Sequence, residues 1–309
     1  MSGERGKDLG RWVRLAGSLL SAALLVWLVM RQDWNALLTS LEGASIGGLL
    51  LAFGCSLVSQ GFNAARWWTL LEGQQIRPGF YRVVQIAFAG LFASNFLPGT
   101  VGGDVARVAG ILPYSENRIA GAASVIVDRV IGVFGMTFML PFSLPLIRVL
   151  AADPDFFSRS GSALSGVLFG RILNPIKRLT TRSVDALKIW VHRPGSLILA
   201  LLFSWGSVVF YLLVVWLVAR ELGIKVSYWQ VAGATGISYF LTLLPISING
   251  YGVRELVIFG VYSQLGADPE QATALALVTR VILVSVSLPG SLWLGGILKK
   301  KESSDEVLV

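Results

Sequence analysis

The sequence has one cysteine, one histidine and few charged residues, and each shortage excludes a class of protein. Only 14% of the 309 residues are charged, and Cys55 and His192 are the single members of their kinds. One thiol and one imidazole cannot build a disulfide framework, a metal site or a nucleophile–base pair, so we expect no metal, no cofactor and no enzymatic activity. The Gly-x4-Gly-Lys-Ser/Thr phosphate loop is also absent, which excludes direct use of ATP.

Apolar sequence is what the chain has in abundance. Hydrophobic residues make up 54% of it, and the mean hydropathy is +0.68. Its apolar runs have the ~20-residue length that a helix needs to cross ~30 Å of hydrocarbon. The net charge of +8 comes largely from Lys and Arg that flank these runs, which favours membrane lipids over nucleic acid as partners. We therefore predict an all-α polytopic membrane protein.

A Pro-x4-Gly-x3-Arg pattern occurs twice, at 98–107 and at 245–254, with an offset of 147 residues. The sequence at 127–131 is echoed at 278–282 with an offset of 151. Two related halves, each with a Gly/Pro-broken apolar segment followed by an arginine, indicate a transport site at a repeat interface. Broken backbone at membrane depth must be covered by protein or water, so we predict a re-entrant segment in each half.

The predicted organisation is one integral membrane domain with about seven or eight transmembrane helices. Its segments are a first helix at 12–30, a first repeat at 46–149, a basic cytoplasmic or interfacial segment at 150–195, a second repeat at 196–297 and a tail at 298–309. The first apolar run continues without a small-residue cleavage site, so we predict a retained helix rather than a signal peptide. Three crossings per repeat would make the two pseudo-symmetric repeats inverted, which we favour, whereas an extra crossing within 141–173 would make them parallel.

Basic residues set the predicted orientation. Residues 148–193 hold eight Lys or Arg against three Asp, which places this segment and the N-terminus in the cytoplasm. The Lys-Lys-Lys tail at 299–301 favours the cytoplasm as well. Seven crossings would place the N-terminus and the C-terminus on opposite sides of the membrane, so the side of the C-terminus stays open. Arg66, Trp67 and Trp68 close an apolar run and have the pattern of an interfacial anchor.

Ionised residues within apolar runs are the candidate site, because each costs at least ~2.5 to 3.5 kcal/mol at the bilayer centre. We predict that Arg107 and Arg254 converge on a water-filled groove and hold a lipid phosphate, helped by N–H groups of broken helices.

Asn95 and Asn249 are candidate headgroup ligands, although helix capping explains them equally well. The candidate counter-charges are Asp104, Asp128, Arg129, Glu255 and Arg280. The residues expected to shape the loops are Pro98, Gly102, Gly103, Pro245, Gly250 and Gly252. The competing interpretation is a set of internal salt bridges that lock the loops in place.

These motifs resemble the lysylphosphatidylglycerol synthase transmembrane-region family, whose members are often called flippase-like domain proteins. The resemblance is carried by residues 95–98, 102–107, 128–129 with Gly132, and 244–255. It spans about residues 10–296 and implies a multi-pass protein of the bacterial-type cytoplasmic (inner) membrane that moves a lipid between leaflets. In multiple-peptide-resistance-factor proteins this module precedes a cytosolic aminoacyl-transferase domain. Only residues 299–309 follow the last predicted helix here, so we expect that domain to be absent.

Three functions are compatible with these features. The first is a flippase for an anionic or phosphate-bearing lipid, running downhill or coupled to an ion. The second is a non-catalytic accessory subunit of a pathway that modifies a phospholipid, polyprenyl-glycolipid or hopanoid, with a lipid-synthesis enzyme or a second copy of the chain as partner. The third, a membrane enzyme, lacks acid–base groups, because arginine stays protonated.

Overall fold

The computed structural model describes residues 43–96, 102–152, 194–242 and 253–296. Within these ranges every regular element is helical, which confirms the all-α prediction for this part of the chain. The helices are α1 (Ile46–Gly73), α2 (Phe80–Phe96), α3 (Gly102–Ile111), α4 (Arg118–Thr137), α5 (Leu140–Ala152), α6 (Pro194–Glu221), α7 (Tyr228–Thr242), α8 (Val253–Gln264) and α9 (Pro269–Ser287). A 3-10 turn at Leu112–Tyr114 follows α3, and residues 290–296 are also helical.

Four of the described helices, α1, α4, α6 and α9, are long and apolar enough to cross a membrane. Helices α2 and α7 have 17 and 15 residues. At 1.5 Å per residue they reach only about 26 and 23 Å, short of the ~30 Å hydrocarbon layer. The predicted first helix at 12–30 lies outside the described residues, so the total of seven or eight crossings stays a prediction.

Helices α2 and α3 form an antiparallel hairpin whose close approach depends on glycine. A Cβ on Gly103 would overlap Ser94 Oγ, and one on Gly110 would lie 2.7 Å from Ile86. Gly103, predicted to shape a loop, therefore allows one helix to pack on another. Helix α3 has 10 residues, or about 15 Å, and cannot cross the bilayer alone.

Helices α1 and α6 match in length and in how they end. Each has 28 residues. Their first residues, Ile46 and Pro194, are 148 positions apart, and so are their last residues, Gly73 and Glu221. Both end in a Schellman motif, in which Ile76 N–H donates to Leu71 O (3.1 Å) and Ile224 N–H to Ala219 O (2.9 Å). The preceding residue is left-handed in both motifs: Gln75 has φ 60° and Gly223 has φ 75°.

Replacing Gln75 by glycine is expected to stabilise the protein by about 0.5–1 kcal/mol, because a side chain in the left-handed region is strained. Thermal unfolding in detergent would measure the gain. The matched control is Gly223→Ala, whose Cβ would meet only Gln271 Nε2 at 3.5 Å, so that its expected loss is conformational. A lower midpoint for Gln75→Gly would contradict this account.

The described residues form two compact units. One comprises 52–96, 102–138, 194–214 and 281–296, and we call it the Asp128 unit. The other comprises 43–51, 139–152, 215–242 and 253–280, and we call it the Glu255 unit. The core of the Asp128 unit includes Trp67, Leu71, Ile86, Ile111 and Val125, all buried. Apolar packing of α1, α2, α3 and α4 therefore surrounds the charged residues described below.

Within the Asp128 unit, α1 contacts α6 through residues that lie equally far from the start of each helix. Ser59 Oγ donates to Ser207 O (2.9 Å) and lies 3.1 Å from Ser207 Oγ. The rings of Phe62 and Phe210 are stacked, with centroids 5.6 Å apart. Both pairs are 148 residues apart, the same separation as the ends of the two helices.

The direction of this crossing follows from the order of the contacts. From Ser59 to Arg66 along α1, the hydrogen-bonded partner on α6 changes from Ser207 to Ser204. Residue numbers rise on one helix while they fall on the other, so α1 and α6 cross antiparallel in this unit.

In the Glu255 unit, α5 packs closely on α7. The rings of Phe142 and Trp229 stack with centroids 4.8 Å apart, and Ser143 Oγ donates to Gly233 O (3.0 Å). A Cβ on Gly233 would overlap Phe142 O, so glycine is needed for this approach. Helix α5 contains Pro145, so the proline-rich stretch after α4 forms a separate helix.

Candidate functional site

Asp128 on α4 is buried and bound by two arginines. Arg66 Nε lies 2.7 Å from Oδ1, Arg66 Nη2 lies 3.3 Å from Oδ2, and Arg107 Nη2 lies 2.8 Å from Oδ2. The exposed fractions of the side chains are 2% for Asp128, 12% for Arg66 and 15% for Arg107. Helices α1, α3 and α4 thus bring three ionised groups together, and we call them the Asp128 cluster.

Neighbouring side chains hold both guanidinium groups of the Asp128 cluster in place. The guanidinium carbon of Arg107 lies 4.1 Å from the centroid of the buried Trp67 ring, a cation–π contact. Trp67 Nε1 donates to Ser124 Oγ (3.1 Å), which fixes the indole. Arg66 Nη1 donates to Ser204 Oγ on α6 (3.2 Å). The positions of both guanidinium groups are therefore set by surrounding contacts.

A second ion pair joins α3 to α4 at a more exposed position. Arg129 Nε lies 2.7 Å from Asp104 Oδ2, and the two side chains are 56% and 24% exposed. Asp128 and Arg129 were both predicted as counter-charges of the groove, without a statement of their partners. In the structure the partners of Asp128 are Arg66 and Arg107, while Arg129 binds Asp104.

The Asp128 cluster carries one more positive than negative charge. Its two guanidinium groups face one carboxylate, and the Asp104–Arg129 pair is balanced within itself. Among the described residues, the buried Nε of Arg107 also has no hydrogen-bond partner. A buried charge costs several kcal/mol unless it is paired and hydrogen-bonded, so the arrangement favours an added anion.

The Glu255 unit contains a cluster of the same composition, which we call the Glu255 cluster. Glu255 is fully buried, and its Oε1 lies 2.8 Å from Arg280 Nε and 3.9 Å from Arg254 Nη1. Arg254 Nη2 donates to Thr279 Oγ1 (3.4 Å). One carboxylate is again placed beside two arginines.

The two clusters use corresponding positions of the sequence pattern. Arg107 binds Asp128 and Arg254 binds Thr279, and position 279 is the counterpart of 128 at the 151-residue offset. The acid-to-arginine pairs Asp104–Arg129 and Glu255–Arg280 both join residues 25 positions apart. In each half, a short helix is therefore tied to the next long helix by charged or polar side chains.

The remaining predicted site residues are only partly within the described ranges. Asn95 lies in the last turn of α2, and Gly102 begins α3. Outside the described residues lie Pro98, Pro245, Asn249, Gly250 and Gly252. Arg107 and Arg254 belong to different units, and their convergence on one groove stays a prediction.

Arg66 is the site residue that sequence analysis missed. Its place beside two tryptophans suggested an interfacial anchor, but Arg66 is largely buried and Trp67 is completely buried. Helix α1 continues to Gly73, so Arg66 lies two turns inside the helix end. The apolar residues Leu70 and Leu71 follow Arg66 in the sequence and could have indicated that the helix continues beyond it.

Comparison with known proteins agrees with this membrane architecture. The profile of the family described as "Lysylphosphatidylglycerol synthase TM region" matches residues 14–290. The UPF0104 membrane protein PH1989 of Pyrococcus horikoshii is 24% identical over 330 aligned positions, which cover 93% of this chain and 95% of that protein. The UPF0104 membrane protein MJ1595 of Methanocaldococcus jannaschii is also 24% identical, over 78% of this chain and 81% of its own length. Because the family profile covers most of the sequence, this chain belongs to the lysylphosphatidylglycerol synthase transmembrane-region family.

Proposed function

We propose that this membrane protein is not an enzyme but moves an anionic or phosphate-bearing lipid between the leaflets of a bacterial-type cytoplasmic membrane. The observation that carries the proposal is the Asp128 cluster, in which Arg66 and Arg107 share one buried carboxylate. An excess positive charge at a site of low polarity attracts a negatively charged group. A lipid phosphate supplies that charge together with several hydrogen-bond acceptors.

The chemistry of the guanidinium group supports phosphate as the ligand. Arginine stays ionised, and its planar fork can bind two phosphate oxygens at once. Asp128 occupies Arg107 Nη2, whereas the buried Arg107 Nε has no partner among the described residues. A phosphate oxygen at that nitrogen would satisfy the donor and balance the cluster.

Apolar surface beside the exposed Asp104–Arg129 pair favours an amphiphile over a free anion. Val105 follows Asp104 on α3 and is 53% exposed, and Ile126 lies one turn before Arg129 on α4 and is 42% exposed. In a membrane these apolar side chains would contact acyl chains. A lipid held at the arginines would have its tails in the same hydrocarbon layer.

We further propose that the two repeats are inverted and that each contains a re-entrant hairpin, α2–α3 in the first repeat. The equal lengths and constant spacing of α1 and α6 support a repeat, and their antiparallel crossing supports inversion. The short length of α3 supports the re-entrant hairpin. This arrangement would give each leaflet an equivalent route to the site.

The decisive experiment is reconstitution of the purified chain in phosphatidylcholine vesicles. Fluorescently labelled phosphatidylglycerol should become accessible to external dithionite faster than in protein-free vesicles, while labelled glucosylceramide, whose headgroup is polar but uncharged, should not. Movement of neither lipid would refute the transport proposal and favour the accessory-subunit interpretation. Equal movement of both would refute a role for the arginines in selection.

The proposed orientation, with the N-terminus and residues 148–193 in the cytoplasm, has its own test. After Cys55→Ser, single cysteines introduced at Arg148 or Arg193 should resist membrane-impermeant thiol reagents added to intact cells and react after lysis. Rapid labelling in intact cells would reverse the orientation.

A further inference from the structure

The crossing of α1 and α6 has a property that places it on a symmetry axis. When two equivalent elements are related by a two-fold rotation, a residue contacts its own counterpart only where the axis passes. Ser59 contacts Ser207 and Phe62 contacts Phe210, and both pairs have the 148-residue separation of the two helices. In antiparallel helices such self-contacts occur at one level only, which here is a single turn of α1.

We infer that this crossing, defined by Ser59, Phe62, Ser207 and Phe210, is the pivot about which the two halves of the chain rock during transport. The inference rests on the proposed function, because only a transporter needs to expose one site to both leaflets in turn. Inverted repeats achieve this by rocking one repeat against the other around a fixed site. If exchanging the two repeats converts one conformation into the other, the distance between a residue and its counterpart is the same in both. Counterparts that are in contact on the symmetry axis therefore stay in contact, while pairs away from the axis can separate.

The chemistry of the crossing suits a pivot. Ser59 and Ser207 are small and buried, which allows the helix backbones to come close. Gly206 faces the Phe62 ring, and a Cβ at this position would lie 2.8 Å from ring carbons. The two serines are neutral, so a change of angle between the helices does not separate an ion pair at this point.

The pivot is joined to the Asp128 cluster on one side only. Arg66 donates to Ser204, whereas the counterparts of these residues at the 148-residue offset are Val214 and Ser56. Valine cannot donate, and the buried Ser56 Oγ has no hydrogen-bond partner among the described residues. The two repeats therefore differ at this position, because only the first supplies a donor to the opposite helix.

Two cysteine pairs in a Cys55→Ser chain test the pivot. At the pivot, Ser59→Cys/Ser207→Cys would place sulfur atoms where the hydroxyl oxygens are 3.1 Å apart, within reach of a disulfide. Ser45→Cys/Glu221→Cys is the matched off-axis pair, because Ser45 N–H donates to Glu221 Oε2 (2.8 Å) about 21 Å along α1 from Ser59. A short thiol cross-linker would join this second pair.

We expect vesicles with the cross-linked pivot pair to retain phosphatidylglycerol movement. The cross-linked off-axis pair should lose it and recover it when a reducible linker is cleaved. Loss of transport at the pivot, or full transport with the off-axis pair locked, would overturn the inference. If the uncross-linked chain moves no lipid, the proposed function fails, and spin labels at the two pairs then test the pivot alone. Addition of phosphatidylglycerol should change dipolar broadening at 45/221 but not at 59/207, and equal responses would overturn the pivot.

Discussion

Arg107→Gln is expected to abolish movement of anionic lipids while the protein still folds and inserts. Glutamine keeps a polar side chain of similar length but removes the charge and the fork that would hold a phosphate. Loss of a buried, charged contact to a ligand typically costs about 2–5 kcal/mol, which is more than tenfold in affinity. Asp128 would keep its two contacts with Arg66, so folding should lose only about 1–3 kcal/mol. The dithionite assay and thermal unfolding of the same preparation would separate the two effects.

The matched control for Arg107→Gln is Arg77→Gln. Arg77 is 73% exposed and lies 3.6 Å from Glu72, so it belongs to a surface pair that contributes at most about 1 kcal/mol. This control should transport normally, and Arg107→Lys should recover only part of the activity because a point charge replaces the fork. Normal lipid movement by Arg107→Gln would rule out the arginine-phosphate contact, whatever its stability.

The candidate charges could be found from sequence because membrane segments tolerate few of them. Arg107, Asp128, Glu255 and Arg280 stood out as ionised residues in apolar runs, and the structure places all four in buried clusters. Their partners could not be deduced. Asp128 binds Arg66, 62 residues earlier, and such a pairing depends on which helices become neighbours.

The similarity between α1 and α6 was also present in the sequence, but its identical residues are too few and too scattered to be recognised. Eight residues of α1 recur at an offset of 148. They include Ser56, Ser59, Phe62 and Trp68, which match Ser204, Ser207, Phe210 and Trp216. Common small and aromatic residues carry little weight in a membrane sequence. The contact between counterparts gives these matches their meaning, because it fixes the register independently of residue identity.

Asp128→Asn is expected to cause the largest loss of stability. Asparagine is nearly the same size, but it leaves two buried guanidinium groups without a carboxylate. Breaking a buried ion pair by removing one partner typically costs about 3–5 kcal/mol, a large share of the ~5–15 kcal/mol that stabilises a folded protein. The yield of monodisperse protein and the thermal midpoint in detergent should both fall sharply. Glu72→Gln, which removes the acid of the exposed surface pair, is the control and should change neither.

A second substitution identifies charge as the cause of this loss. In Asp128→Asn/Arg66→Met one of the two guanidinium groups is replaced by an apolar side chain, so the cluster again has a single positive charge. If charge is responsible, the double variant should be more stable than Asp128→Asn alone, with a coupling energy of about 0.5–3 kcal/mol. Phosphatidylglycerol should also raise the midpoint of Asp128→Asn more than that of the wild type, since a bound anion stabilises the folded state by an amount that grows with the logarithm of its affinity. Additive losses in the double variant would mean that packing around Asp128 dominates, and the excess charge could then no longer be offered as the reason for anion binding.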